Sequence, residues 1–493
     1  MAKVEAGYSH MGNAEAPFSD GKEPTQTRRK FLLGSLWRSD RKVIASRCGT
    51  TLWDYIFIRS CIFFLHWIAP LSILYCLAVY LVRPSPFHVS WALEAWVAFE
   101  TAFYFLVYLP RKYYLQAAAT HPIPVSREHR RLLFQRCHEN IPDPERYLSK
   151  WFLNAPLSEM KRDNVKDFFL WAFFNTGEHD PVDDEELDEY VGEMEKLLER
   201  KIEPGRGSAK CMRVTVDKVD MLHRSLTWYM CVFVHRPHTS TTKLPILFIH
   251  GIGIGLYPYV NFLAELNVDS KTERSDGELG IIAVEIMPVS LRITGEALRR
   301  EEMCQEILCI VKEHKWKKFV LVSHSYGSII STYPLNTPQI AQKVGPILFI
   351  DPVSFLLHLP DVAYNFVCRK PRRANEHQLT YFASKDMGVS HTLSRRFFWS
   401  ENILWKENIQ RRRVTVVLGG KDPIVDTEVV GKYLTGADNG SRETGIWKEG
   451  IWKGDGLDVL WFRELDHMQV FYKKKTRGRL VDVVRRYSPM RHF

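Results

Sequence analysis

Apolar residues along this chain fall into three textures. From Cys61 to Val82 there is no formally charged residue, and Ile, Leu, Phe and Trp dominate. A helix rises 1.5 Å per residue, so this stretch covers a hydrocarbon core of about 30 Å. It predicts a membrane-spanning helix at about 60–82, with Arg59 at its entrance and a tolerated kink at Pro70. Val89 to Leu109 is almost as apolar but carries Glu94 and Glu100. It predicts a second helix at about 89–109, either crossing the bilayer or lying in its interface. A second texture runs from Tyr147 to Phe174, where Trp151, Phe152, Phe168, Phe169, Trp171, Phe173 and Phe174 cluster at helical spacing. This is a pair of amphipathic helices packed on a core, or a segment that covers a pocket or lies on a membrane. The acidic run Asp180 to Glu195 starts a helix near Pro181, Asp183 and Asp184 and continues as a solvated face without chemistry.

From Cys211 onward the pattern becomes short and β-rich. Strands are predicted at Met212–Val219, Leu226–Val234, Leu244–Ile249, Ile281–Ile286, Phe319–Val322, Ile347–Ile350, Val414–Leu418 and Val459–Phe462. Helical patterns such as Ala297–His314 separate several of them. That alternation predicts an α/β fold with a mainly parallel eight-stranded sheet flanked by helices. Arg442 to Asp455 contains the echo Gly445-Ile446-Trp447-Lys448 and Gly450-Ile451-Trp452-Lys453, read as a Trp-bearing hairpin loop. The expected organisation is a disordered basic tail (1–54), a membrane anchor (55–110), a helical connector or cap (111–210) and an α/β domain (211–493) with an insertion at about 354–412.

Composition narrows the function classes little. The chain has 493 residues, 45 % hydrophobic, 13 % aromatic and 25 % charged, as in ordinary globular proteins. The net charge of +10 is compatible with anionic lipid, but no nucleic-acid motif accompanies it, so nucleic acid is not expected as a partner. Nine scattered cysteines form no CxxC pair or Cys/His cluster, so free thiols and no structural metal are expected. Basic residues are dense before the first apolar segment (Arg38 to Arg47) and after the second (Arg111, Lys112, Arg127, Arg130, Arg131), and sparse in the linker 83–90. If both segments span, the positive-inside rule puts both flanks in the cytosol and the α/β domain with them, on an intracellular membrane such as the endoplasmic reticulum. If only the first spans, the rest is lumenal, and the triplet Asn439-Gly440-Ser441 would report on it.

The chemistry centres on Lys318 to Ile330, an apolar strand, a tight turn and a helix with Ser325 at the apex. Residues two before and two after such a serine must be small, because strand and helix approach there. Here they are Ser323 and Gly327, a departure from G-x-S-x-G at the first position only. A serine hydroxyl needs a base, an acid to orient that base, and donors for an oxyanion. Asp422 follows the strand Val414–Leu418 and His467 follows Val459–Phe462, in the chain order Ser, Asp, His. The loop His250-Gly251-Ile252-Gly253-Ile254-Gly255 lets backbone approach a ligand oxygen, which nominates the amides of Ile252 and Tyr326 as donors.

Taken together, these residues resemble the α/β-hydrolase superfamily over roughly 211–493. The resemblance implies Ser325 as nucleophile, His467 as general base and acid, and Asp422 as the orienting carboxylate, without a cofactor. Asp351 is the alternative acid, since some of that superfamily place it after the strand equivalent to Ile347–Ile350. It also implies that His250 shapes the oxyanion loop and that Asp466 is a loop residue. The insertion at 354–412 reads as a lid: Tyr364, Phe366, Tyr381, Phe382, Phe397, Phe398, Trp399 and Trp405 mix there with Arg369, Lys370, Arg372, Arg373, Arg395 and Arg396. Such a lid suits contact with a lipid bilayer and entry of an apolar or lipid substrate; equally, its aromatics form its own core. The expectation is a membrane-anchored serine hydrolase of an ester or thioester. Acyl transfer, lyase or ring-forming chemistry in natural-product metabolism, and a non-catalytic tethered interaction protein, remain the alternatives.

Overall fold

The computed structural model describes residues 51–81, 89–226, 235–236, 238–240, 242–266, 278–437 and 446–489. The 439–441 triplet and all but 51–54 of the expected tail lie outside the described residues. The first apolar helix begins at Leu52, earlier than expected, and runs to Leu81. Its start is set by Thr51 and Asp54, which bond reciprocally: the Asp54 amide donates to Thr51 Oγ1 at 3.1 Å and the Thr51 amide to Asp54 at 3.3 Å. The second runs Trp91–Phe103, passes through a π-turn at Tyr104–Tyr108 and ends at Tyr114. Both helices are long and apolar enough to cross a membrane. The two glutamates of the second each accept hydrogen bonds within the protein. Tyr75 donates to Glu94 at 3.0 Å, and buried Glu100 accepts from Ser225 and from the Leu226 amide at 3.0 Å.

Among the described residues eight strands form one sheet: β1 His235–Arg236, β2 Ile246–Ile249, β3 Ile281–Val284, β4 Phe319–His324, β5 Val344–Ile350, β6 Val414–Gly419, β7 Ile451–Lys453 and β8 Leu457–Phe462. Their order is β1-β3-β2-β4-β5-β6-β8-β7. All neighbours from β3 to β8 are parallel, while β1 and β7 add antiparallel edges. Strands β2, β4, β5 and β6 are buried along their whole length, as expected for a sheet covered on both faces. Alternate side chains feed two cores: Leu247, Leu321, Phe349 and Val416 on one face, Phe248, Val320, Leu348 and Val417 on the other. Pro346 lacks a ladder donor, and the β4–β5 register shifts beside it.

The count of eight matches the expectation, but its members differ. Met212–Val219 is not a strand: it contains a turn at 214–216 and lies against the preceding helices, the Met212 amide donating to the Trp151 carbonyl at 2.9 Å. Its apolar alternation serves helix packing, which periodicity alone cannot separate from a ladder. Of Leu226–Val234, only Leu226 is among the described residues. The Trp-bearing loop supplies β7, paired with β8, and Trp447 is buried.

Helices Pro144–Trp151 and Arg162–Phe174 pack on the main core rather than projecting from it. The acidic helix Asp184–Leu197 is not wholly solvated: Glu186 and Glu195 are buried and paired with Arg130 and Arg162. Between β5 and β6, 354–412 folds as a set of short helices, among them Ala374–Leu379 and Met387–Arg395.

Candidate active site

Strand β4 ends at His324, and Ser325 turns the chain with φ +50° before helix Gly327–Leu335 begins. A positive φ at a non-glycine residue is strained, and the fold holds it by bonding the Ser325 amide to the Ile350 carbonyl at 3.0 Å. Gly327 is required here, because a Cβ would sit 2.4 Å from the Ile249 carbonyl oxygen of the neighbouring strand. Ser323 is fully buried. The small-residue logic of the turn therefore has a concrete steric cause on the helix side.

The loop after β6 brings Asp422 to the same edge, where its Oδ1 accepts from the amides of Ile424 at 2.7 Å and Val425 at 3.0 Å. Its other oxygen lies 2.6 Å from Nδ1 of His467, which follows β8. His467 Nε2 lies 2.8 Å from Ser325 Oγ. The Asp422 side chain is fully shielded and that of His467 is 11 % exposed, while Ser325 lines a cavity. Burial lowers the His467 pKa, but the charge and hydrogen bond of Asp422, with Asp351 and Asp466 nearby, outweigh it and raise the value to about 9. A parallel sheet in this order, a strained serine after its central strand, and Asp and His after later strands define the architecture. This is the α/β-hydrolase fold.

Asp351 makes no hydrogen bond to the His467 ring. It ends β5 with φ +43°, and its Oδ2 accepts from the Met468 amide at 2.9 Å. Of the two candidate acids, only Asp422 bonds the histidine ring. Asp466 accepts from the His467 amide at 2.6 Å and from Asn375 of the insertion at 2.7 Å. His250 pins the oxyanion loop: Nδ1 donates to the Gly251 carbonyl at 2.5 Å, and Nε2 accepts from the Ile286 amide at 2.8 Å. Burial pushes its pKa down to about 4, which keeps it neutral. The amides of Ile252 and Tyr326 donate to no protein acceptor among the described residues, and both residues border the cavity beside Ser325.

That cavity is lined almost wholly by apolar side chains. Trp151, Trp171 and Val214 come from the segment before the sheet; Phe366, Leu393, Phe397 and Phe398 come from the insertion. Asn175, Thr215 and Ser325 are the polar exceptions. Two separate stretches thus wall the site: the 147–174 region, for which covering a pocket was one of the sequence readings, and the insertion read as a lid. In the insertion, Tyr381, Phe398, Trp399 and Trp405 are buried, and Arg395 is buried with its guanidinium bonded to backbone carbonyls. No group of metal-ligating side chains occurs among the described residues. The sequence reading missed Tyr259, whose hydroxyl sits 2.8 Å from His324 Nδ1 beneath the serine, and Asn375.

No protein-family model and no curated protein matches this chain. Solved structures overlap part of it. A carboxylesterase from the thaumarchaeon Nitrososphaera gargenis is 15 % identical, covers 51 % of this chain and 95 % of its own, and has a TM-score of 0.32. For naproxen esterase from Bacillus subtilis the values are 12 %, 53 %, 93 % and 0.32. For a bacterial membrane phospholipase A they are 13 %, 49 %, 79 % and 0.30.

Proposed function

We propose that this protein is a membrane-anchored serine hydrolase that cleaves a carboxylic ester or thioester of an apolar, lipid-like substrate. The observation that carries the reading is the hydrogen-bonded chain Ser325 Oγ, His467 and Asp422, at 2.8 and 2.6 Å, whose serine lines an apolar cavity. Ser325 Oγ attacks the substrate carbonyl carbon as its proton passes to His467 Nε2. The oxyanion is received by the amides of Ile252 and Tyr326. His467 then protonates the departing alkoxide or thiolate, leaving an acyl-enzyme. Water, deprotonated by His467, attacks the acyl carbon and releases the acid while Ser325 recovers its proton.

The helices Leu52–Leu81 and Trp91–Tyr114 form the proposed anchor. Trp53, Phe57, Phe64, Leu71 and Tyr80 on the first, and Trp91, Phe99 and Leu106 on the second, are exposed apolar side chains that suit lipid. Glu94 and Glu100 each accept hydrogen bonds within the protein, which lowers the cost of placing them in the bilayer.

Fluorophosphonate labelling of the membrane fraction tests the reading. Labelling of the wild type that is lost in Ser325→Ala and in His467→Ala is the expected result. An unlabelled, folded wild type, or an alanine variant that keeps full esterase activity, would overturn it.

A further inference from the structure

Beneath the serine lies a buried chain of polar groups that the proposed reaction does not use. The Gly251 amide donates to Tyr259 Oη at 3.1 Å, and that hydroxyl lies 2.8 Å from His324 Nδ1. Tyr259, His324 and Asp351 are each at most 2 % exposed. Tyr259 has one proton to give and already accepts from Gly251, so it donates to Nδ1, and the His324 proton is on Nε2. Burial, with His467 nearby, keeps His324 neutral. Nε2 then faces Asp351 Oδ2 at 3.7 Å, an electrostatic contact longer than a hydrogen bond. The same Oδ2 accepts from the amide of Met468, the residue after His467, at 2.9 Å.

The two ends of this chain are the oxyanion loop and the loop that carries the base. Strain marks the same places: Ser325, Asp351 and Met468 all hold positive φ, at +50°, +43° and +70°. Such conformations persist only where surrounding bonds over-determine them. Gly251 leaves no slack, since a Cβ there would lie 2.8 Å from both His324 Nδ1 and Ser325 Cβ.

Resting on the hydrolase reading, we propose that Tyr259, His324 and Asp351 are positioning residues that set the oxyanion-loop amides and the His467 imidazole in one register. Tyr259 holds Gly251, and through it the neighbouring Ile252 amide, at the oxyanion position. Asp351 holds Met468, and through it the ring of His467, and adds its negative charge to those of Asp422 and Asp466 near that ring, against which neutral His324 also packs. A displaced oxyanion donor weakens binding of the developing charge more than binding of the neutral ester, so the loss falls on kcat.

The test uses the full-length protein in its membrane fraction, with active sites counted by fluorophosphonate and turnover followed on a p-nitrophenyl ester. Tyr259→Phe is expected to lower kcat per labelled site by about tenfold with KM unchanged, a fraction of the loss from deleting an oxyanion donor outright. Asp351→Asn is expected to move the rising limb of the pH–rate profile to lower pH, because one negative charge facing His467 is gone. A labelled Tyr259→Phe with wild-type kcat, or an Asp351→Asn variant whose limb does not move, overturns the network and leaves the hydrolase reading intact. A folded wild type that takes no label overturns the hydrolase reading itself, and the network with it. If Tyr259→Phe does not fold, the Asp351→Asn limb decides alone.

Discussion

The loops after β5 and β6 each present one aspartate to the same histidine, and they do different things with it. Asp422 has its side chain fully shielded, is clamped by two amides of its own turn and is aimed at Nδ1. Asp351 is equally shielded but spends its oxygen on the Met468 backbone and faces a second imidazole. Proximity to the histidine is shared by both; a line to the ring nitrogen is not. The comparison teaches that the acid of such a site is chosen by the direction of a lone pair, which depends on where a loop's amides hold the carboxylate.

The most severe way to test that difference is Asp422→Asn. It should cut turnover by about 10⁴-fold, because the amide no longer fixes the tautomer that leaves Nε2 free to accept. Equal losses in Asp422→Asn and Asp351→Asn, measured as kcat per labelled site, would erase the distinction. Next in size is pH dependence. His467 must be neutral to accept the serine proton, and its pKa is raised to about 9, so kcat/KM of the wild type should climb with pH, be half-maximal near 9 and level off above it. Asp422→Asn should shift what limb remains to lower pH further than Asp351→Asn does, since its charge bears on the ring more strongly. A smaller effect is expected at the cavity. Phe397→Ala should raise KM for a long-acyl ester by roughly tenfold, from about 1.5 kcal/mol of lost apolar contact, and leave an acetyl ester unchanged. The smallest concerns the insertion's hold on the base loop. Asn375→Ala removes a donor to Asp466 and should lower kcat by about threefold, the worth of one ordinary hydrogen bond.

The parallel strands were legible because both of their faces are covered, which writes near-continuous apolar runs such as Phe319 to Val322 and Ile347 to Ile350 into the chain. Edge strands β1 and β7 are only two and three residues long, and β7 is largely exposed, so neither left such a run. Met212–Val219 was misread because an extended segment that packs on helices has the same apolar spacing as a strand. Ser325, Asp422 and His467 stood out by their place at strand ends. Tyr259 and His324 did not, for their roles depend on contacts between residues 65 apart in the chain and have no spacing signature.

The sequence by itself determined the alternation of strands and helices, the apolar helices near the start, the small residues around Ser325 and the order Ser, Asp, His. These are local properties, set by side-chain volume and periodicity. Only the tertiary structure decided which aspartate bonds the imidazole, which segments wall the cavity, and that Glu94 and Glu100 have partners. Hydrogen bonds act over about 3 Å and in particular directions. Whether two groups distant in the chain meet that condition is settled only when the whole sheet and its loops are in place.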